Sequence, residues 1–593
     1  MSRVRLVDAL FAVSALSLSV SAGCVPQDPP RRDVGPRDAR PRTDVPFDPY
    51  SDVGERIGID IGFIPGEPDA PPFDAGPLPP PFFEEAAASA GLGASHGGNP
   101  SPPDCLFDDL TVAGPGDYCD PERSLAGAAV GDANGDGHQD LFVTRIDGPP
   151  SLYQNDGAGH FVDVTTARGL SISEPTAGAA FGDIDRDGDL DLYVSVLGGL
   201  EHHLYLNEGA TFRNVARARG AALTSALPLL GSIVTFGDYD KDGDLDLYVG
   251  EWRNRVIVHD GPPMARLLRN RGPAMPGFFE DVTMAAGVSM EDAWMGVATR
   301  GVYIYAVAML DLDQDGNIDL AVNGDFRTSR LFWGRGDGTF VDGTRAARVG
   351  TEMTAMGSTF ADIDDDGDLD WFVSSTFRLL GPDWGNRLFR NDGGRVFTDI
   401  TGESNVLDSG WPWGAAFFDY DNDRDADLAV TNGWFHDPFF NDPTRLYRRE
   451  PDGRYVDVAP YTGLIEDGQG RAAVVFDPDE DGDLDLFIAH YGAPPRLYRN
   501  LRGTESAWLR VRVTDPLEGL GARVTVRETA TSRPRVFVIG QATHYLGQSE
   551  RIAHFGLGDH AGNVAQVRIE WPDGAVVTQT NVPARQVLRV NHP

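Results

Sequence analysis

An acidic loop of nine residues returns seven times along this 593-residue chain, and each copy runs straight into a short apolar strand. The copies begin at Asp132 (DANGDGHQDLFV), Asp183 (DIDRDGDLDLYV), Asp238 (DYDKDGDLDLYV), Asp311 (DLDQDGNIDLAV), Asp362 (DIDDDGDLDWFV), Asp419 (DYDNDRDADLAV) and Asp477 (DPDEDGDLDLFI). Side-chain oxygens at positions 1, 3, 5 and 9, with a main-chain carbonyl at 7, are what a hard cation such as Ca²⁺ requires. Glycine at position 6 permits the reversal that returns position 9 to the ion. This register gives the ligand sets Asp132, Asn134, Asp136 and Asp140; Asp183, Asp185, Asp187 and Asp191; Asp238, Asp240, Asp242 and Asp246; and Asp311, Asp313, Asp315 and Asp319. The last three sets are Asp362, Asp364, Asp366 and Asp370; Asp419, Asp421, Asp423 and Asp427; and Asp477, Asp479, Asp481 and Asp485. Asp189, at position 7 of the second loop, would offer its carbonyl. Position 12 of that loop is Val194 and no flanking helix is evident, so the loop is not an EF-hand.

The loops start 51 to 73 residues apart, the spacing of propellers and other repeat architectures. Around each lies a longer unit. It opens on a segment such as FVDVTTARGL (161–170) or FTDITGESNV (397–406), passes through the loop and its strand, and closes on a strand such as LYQNDGAG (152–159) or LFRNDGG (388–394). Seven such units run from Phe83 to LYRN at 497–500. Short apolar alternations between Gly, Asn and Asp turns read as antiparallel strands. The fold class expected is all-β: a seven-bladed β-propeller over residues 82–503 with calcium loops, plus a small C-terminal β-sandwich-like domain over 504–593. A linear β-solenoid is the competitor, although its repeats are usually shorter.

On these motifs the chain resembles the FG-GAP/VCBS repeat family, whose propeller blades carry such a calcium loop. Two copies depart from the pattern: Asn134 replaces Asp at position 3 of the first loop, and Arg424 replaces Gly at position 6 of the sixth. The sixth site is therefore expected to be weaker, or held by the guanidinium in place of a metal. Past Asn500 the landmarks WLRVRV (508–513), GLGARVTV (519–526), HYLGQSE (544–550), HFGLGD (554–559) and VRIEWPDGAVV (567–577) resemble the ASPIC/UnbV module, which follows such repeats in the cartilage acidic protein family. Trp508, Phe555 and Trp571 are expected in the core of that domain.

Residues 1–23 read as a secretory signal, and Ser21-Ala22-Gly23-Cys24 resembles a bacterial lipobox, so Cys24 is expected to be lipidated. Residues 24–81, dense in Pro and Asp, read as a disordered tether. Cys105 and Cys119 would pair in an oxidising compartment, contributing about 3 kcal/mol. These features predict export across the inner membrane and lipid anchoring at the cell envelope, at the outer membrane or cell surface.

The formal charge of −40 excludes a nucleic-acid binder, which would be repelled by phosphate. Twenty-seven of the carboxylates sit at loop ligand positions, so up to seven Ca²⁺ would relieve much of the local repulsion. The stretches after the loop strands carry aromatics, arginines and histidines: Trp252, Phe326, Arg327, Phe377, Arg378, Trp384, Trp434, Phe435, His436, His490 and Tyr491. They are expected either to form a ligand-binding rim or to plug the channel and pack between blades. His202-His203 and His436-Asp437 stand in no recognisable catalytic constellation. The leading expectation is a calcium-stabilised, membrane-tethered propeller that binds an extracellular protein or glycan. The alternative is an extracytoplasmic carbohydrate-active enzyme of the polysaccharide lyase or sugar dehydratase type.

Overall fold

The computed structural model describes residues 82–92, 123–146, 148–225, 229–254, 265–290, 301–377, 384–434, 439–515, 517–541, 543–560 and 562–593. Cys24, Cys105, Cys119, Arg378, Phe435 and His436, with the expected signal and tether, lie outside them. Strands dominate, and the helices described are short.

The first sheet shows how the repeat folds. Ala128–Gly131 runs into the acidic loop, Asp140–Val143 returns beside it, and Ser151–Asn155 and Phe161–Asp163 complete an antiparallel set of four. The same order recurs from Thr176–Gly182, Gly231–Gly237, Gly301–Leu310, Ala355–Ala361 and Pro412–Phe418. A further set, from Gly470–Phe476, supplies only three consecutive strands, and its fourth is Phe83–Glu85 from the other end of the repeat region, paired with Arg496–Asn500. The sequence unit is therefore offset by one strand from the sheet. FVDV, which opens a unit in sequence, is the outer edge of the sheet before it, and this offset lets the two ends of the repeat region share one sheet.

Core clusters lie between successive sheets. One joins Ala129 and Phe142 to Ala179 and Leu192; another joins Val474 and Phe487 of the last sheet to Val130 and Leu141 of the first. The packing thus returns on itself as a β-propeller ring. Innermost strands touch backbone to backbone. Gly127 shows why: a Cβ there would collide with the carbonyls of Ala177 and Leu546.

The C-terminal domain packs a three-stranded sheet built on Ala507–Thr514 against a four-stranded sheet built on Arg523–Arg527. Phe555 and Trp571 lie in the shared core. Trp508 is also buried, but its indole lies against Gly482 of the seventh acidic loop. The domain also sends a hairpin into the ring. Gly547–Gln548 pairs in parallel with Ala128–Ala129, and Tyr545 and Leu546 are buried among Ile304, Tyr305, Met356, Trp413 and Trp434. The HYLGQSE segment, a landmark of the C-terminal piece in sequence, thereby fills the propeller's centre.

Candidate metal centres

The acidic loops are held by recurring hydrogen bonds. In the second, the amides of Asp187 and Gly188 donate to the two oxygens of Asp183 at 3.2 and 2.9 Å, and the Asp189 amide donates to Asp187 at 3.0 Å. The ninth-position carboxylate ties the loop to the sheet: Asp191 accepts from Ile184 at 3.1 Å with one oxygen and from Asn207 at 2.8 Å with the other. That second bond, from the third strand to position 9, occurs in all seven loops. Position 6 has φ between 83° and 98° throughout, including 98° at Arg424, where a side chain opposes it. Position 4 is also left-handed in every loop, at Gly135, Arg186, Lys241, Gln314, Asp365, Asn422 and Glu480. Nothing in the sequence marked that position, because its residue types share no chemistry.

Such loops gather carboxylates. Ligand atoms of Asp183, Asp185 and Asp191 lie within 4.8 Å of one another, as do those of Asp238, Asp240 and Asp246, of Asp311, Asp313 and Asp315, of Asp362, Asp364 and Asp366, and of Asp419, Asp421 and Asp427. Burial drives several of these groups toward the neutral form. It pushes Asp183 up to about 6, Asp238 and Asp362 to about 7, and Asp191 and Asp319 to about 8, with neighbouring loop carboxylates adding to the effect.

The donor set fits a hard cation. Buried oxygens of Asp185, Asp238, Asp311, Asp362, Asp364, Asp427 and Asp485 have no hydrogen-bond partner, and all seven residues occupy ligand positions. Unpaired oxygens also occur at position 7, on Asp244 and Asp483. Buried polar atoms are normally satisfied, so oxygens left unpaired at position 1, 3 or 9 in six of the loops are what an ion-binding shell presents. These acidic clusters can hold a metal.

Two expectations change here. The Arg424 guanidinium does not enter the sixth loop: it reaches Glu528 of the C-terminal domain at 2.7 Å, while its amide still donates to Asp419 at 2.9 Å. The third-strand asparagine, read only as part of an LYxN landmark, links neighbouring sheets. The Asn207 side-chain amide donates to Leu190 O at 3.1 Å in its own loop and to Ala133 O at 2.9 Å in the preceding one. Asn155, Asn270, Asn391 and Asn500 reach preceding loops alike, and Asn155 closes the ring on Pro478 O at 2.7 Å.

The proposed rim residues follow the second strand of each sheet, so they emerge at the end opposite the acidic loops. Trp252 and Phe326 are half-buried, each edge-on to Tyr303 at 4.9 and 5.0 Å, and Arg327 is exposed. Phe377 is half-buried and Trp384 is buried. Trp434 is buried and stacked on Trp411 at 4.9 Å, within the central cluster. Tyr491 is buried 5.7 Å from the Arg471 guanidinium, which also lies 4.4 Å over Trp413. His490 is buried with Nε2 3.1 Å from Glu466, and its Nδ1 meets Pro494 O at 2.8 Å. His202 is buried, and its Nδ1 accepts from Val196 N at 3.1 Å.

Matches to family models agree with this two-part architecture. Residues 132–194 and 311–373 match the FG-GAP-like repeat family, and 514–593 match the ASPIC and UnbV family. Cartilage acidic protein 1 of Homo sapiens is 27% identical over 81% of this chain and 74% of its own length; that of Mus musculus is 26% identical over 81% and 76%. Among solved structures, an Agrocybe aegerita lectin that recognises non-reducing terminal N-acetylglucosamine aligns over 61% of this chain and 88% of its own, at 16% identity and TM-score 0.35. YCF48 bound to D1 peptide aligns over 64% and 93%, at 9% identity and TM-score 0.35. With loops, sheets and capping domain accounted for, the chain is an FG-GAP-repeat propeller with a C-terminal ASPIC and UnbV domain, homologous over most of its length to cartilage acidic protein 1.

Proposed function

We propose that the protein is an extracytoplasmic binding or adhesion propeller, stabilised by calcium in up to seven loops and tethered by a lipid on Cys24. The observation that carries the calcium reading is the set of unpaired, buried carboxylate oxygens at ligand positions 1, 3 or 9 of six loops. Their all-oxygen chemistry favours Ca²⁺ over softer metals. No helix of the described residues is long and apolar enough to cross a membrane. The tethering proposal rests on the lipobox-like sequence at Ser21-Ala22-Gly23-Cys24.

The binding face follows from what is already covered. The Tyr545 hairpin occupies the centre, and the C-terminal domain sits on the acidic loops. The opposite end keeps Trp252, Phe326, Arg327 and Phe377 at least partly accessible, aromatic planes beside a cation that suit a sugar ring or a protein anchor. The test is glycan-array and pull-down binding of the full chain, with calcium and with chelator. A hit lost in Phe326→Ala and Arg327→Glu, with melting temperature unchanged, supports this face; a hit that survives both variants moves the site elsewhere. Hydrolysis or elimination of a bound polysaccharide would instead support the enzymatic alternative and direct attention to His490 and Glu466. Cys24→Ser should release the protein from the membrane fraction, and unchanged fractionation removes the lipid tether.

A further inference from the structure

The C-terminal domain grips the acidic loops at one repeated atom. Arg512 donates to the Gly137 carbonyl at 2.8 Å, Arg523 donates to that of Gly367, and Arg535 donates to that of Arg424 at 3.3 Å. These are the position-6 carbonyls of the first, fifth and sixth loops. At the seventh loop, Trp508 lies against Gly482, again position 6, where any Cβ would collide with the indole. The four gripped loops are consecutive around the ring. Two further contacts bind the domain to loop side chains. Buried Arg510 bridges Asp477, the first ligand position of the seventh loop, at 2.7 Å and Glu550, beside the central hairpin, at 2.5 Å. His554 Nε2 meets Asn422 Oδ1 of the sixth loop at 2.6 Å.

Position 6 is the left-handed residue on which each loop reverses, so its carbonyl holds its direction only while the loop is closed. Closure crowds carboxylates within 4.8 Å, and a cation is what offsets their repulsion. Opening a loop displaces the acceptor that the arginine above it uses, and leaves a partly buried guanidinium without that partner. Ion and domain therefore stabilise one and the same loop conformation.

We propose that the C-terminal domain is a calcium-coupled latch: its docking tightens ion binding in the first, fifth, sixth and seventh loops, and ion binding in those loops tightens its docking. The coupling is reciprocal, because linkage requires each event to favour the other by the same factor. The inference rests on the calcium reading above, and its test separates the two. Calcium binding to the full chain is titrated calorimetrically, and amide hydrogen exchange is followed with calcium and with chelator. In the unmodified protein, chelation should raise exchange across residues 545–551 and 507–514 by about fivefold or more. In the double variant Arg512→Ala, Arg523→Ala, calcium affinity should fall at least about fivefold for a subset of sites while the others keep theirs. Arg568→Ala, whose partner is Glu570 in the same domain, should leave every site unchanged. The exchange measurement needs no variant, so a folding defect in the double variant does not decide the matter. Calcium binding with a hairpin equally protected in chelator overturns the latch and leaves the calcium reading standing. An absence of any calcium binding overturns both.

Discussion

Aspartate at the ninth loop position does two things at once. Its oxygens accept amides from its own loop and from the third strand, and in the sixth and seventh loops an oxygen remains buried without a hydrogen-bond partner. Asp183, at the first position of the second loop, holds the amides of positions 5 and 6, whereas position 7 would offer an ion only its carbonyl. Asp183→Ala should therefore cost about 2–3 kcal/mol in calcium and Asp189→Ala well under 1 kcal/mol, read by urea unfolding. Equal losses would refute the ligand register. A buried carboxyl away from the loops gives a pH signature. Burial raises Asp325 to about 8, while one of its oxygens accepts from Phe326 N at 2.8 Å. The folded state holds this proton more tightly than the unfolded chain does. The stabilisation is complete below the ordinary aspartate pKa, shrinks as pH rises, and is lost above about 8. Asp325→Asn keeps the acceptor and removes the titration, so the fall in melting temperature between pH 5.5 and 8.5 should be smaller in the variant. An unaltered pH slope would exclude Asp325 as its source.

At the scale of elements, the sheets are joined by side chains as well as by packing. The third-strand asparagines span two loops, and a second set of links lies nearer the axis. Thr144, Ser195, Ser374 and Thr431 each accept an amide from the first strand of their own sheet, or from the residue leading into it in the case of Thr144, and donate to a carbonyl in the next. Asn391→Ala would leave the carbonyls of Leu312 and Leu369 and the amide of Gly393 without their partner. A loss of about 1–3 kcal/mol is expected in chemical unfolding, and a neutral result would mean that water replaces the amide. The fourth and sixth sheets carry Gly334 and Arg449 at this position, so the same substitution test has no counterpart there. The LYxN pattern showed that the asparagine recurs. Its role was not legible, because its partner lies in another unit, as far as 323 residues away for Asn155.

For the whole molecule, stability and ion content should move together. Seven loops distribute crowded carboxylates around a ring closed by the three-residue strand Phe83–Glu85. A chelator should lower the melting temperature by on the order of 10 °C, reversibly on adding calcium back. No shift would sink the calcium assignment.

The sequence by itself determined the all-β repeat, the spacing of the loop acids and the two-part architecture, because each is written in local spacing: a turn residue, its acids and the strand after them lie within twelve positions. It left open whether the rim aromatics face a ligand or the core. Trp434 and Tyr491 are buried, whereas Arg327 is exposed, and no local pattern distinguishes them. Only the tertiary structure decided the offset between unit and sheet, the turning of Arg424 toward Glu528, and the seating of Tyr545 among Tyr305 and Trp413. Those outcomes depend on which surfaces meet when the ring closes and the C-terminal domain lands on it. Such contacts between residues hundreds of positions apart leave no periodic trace along a single chain.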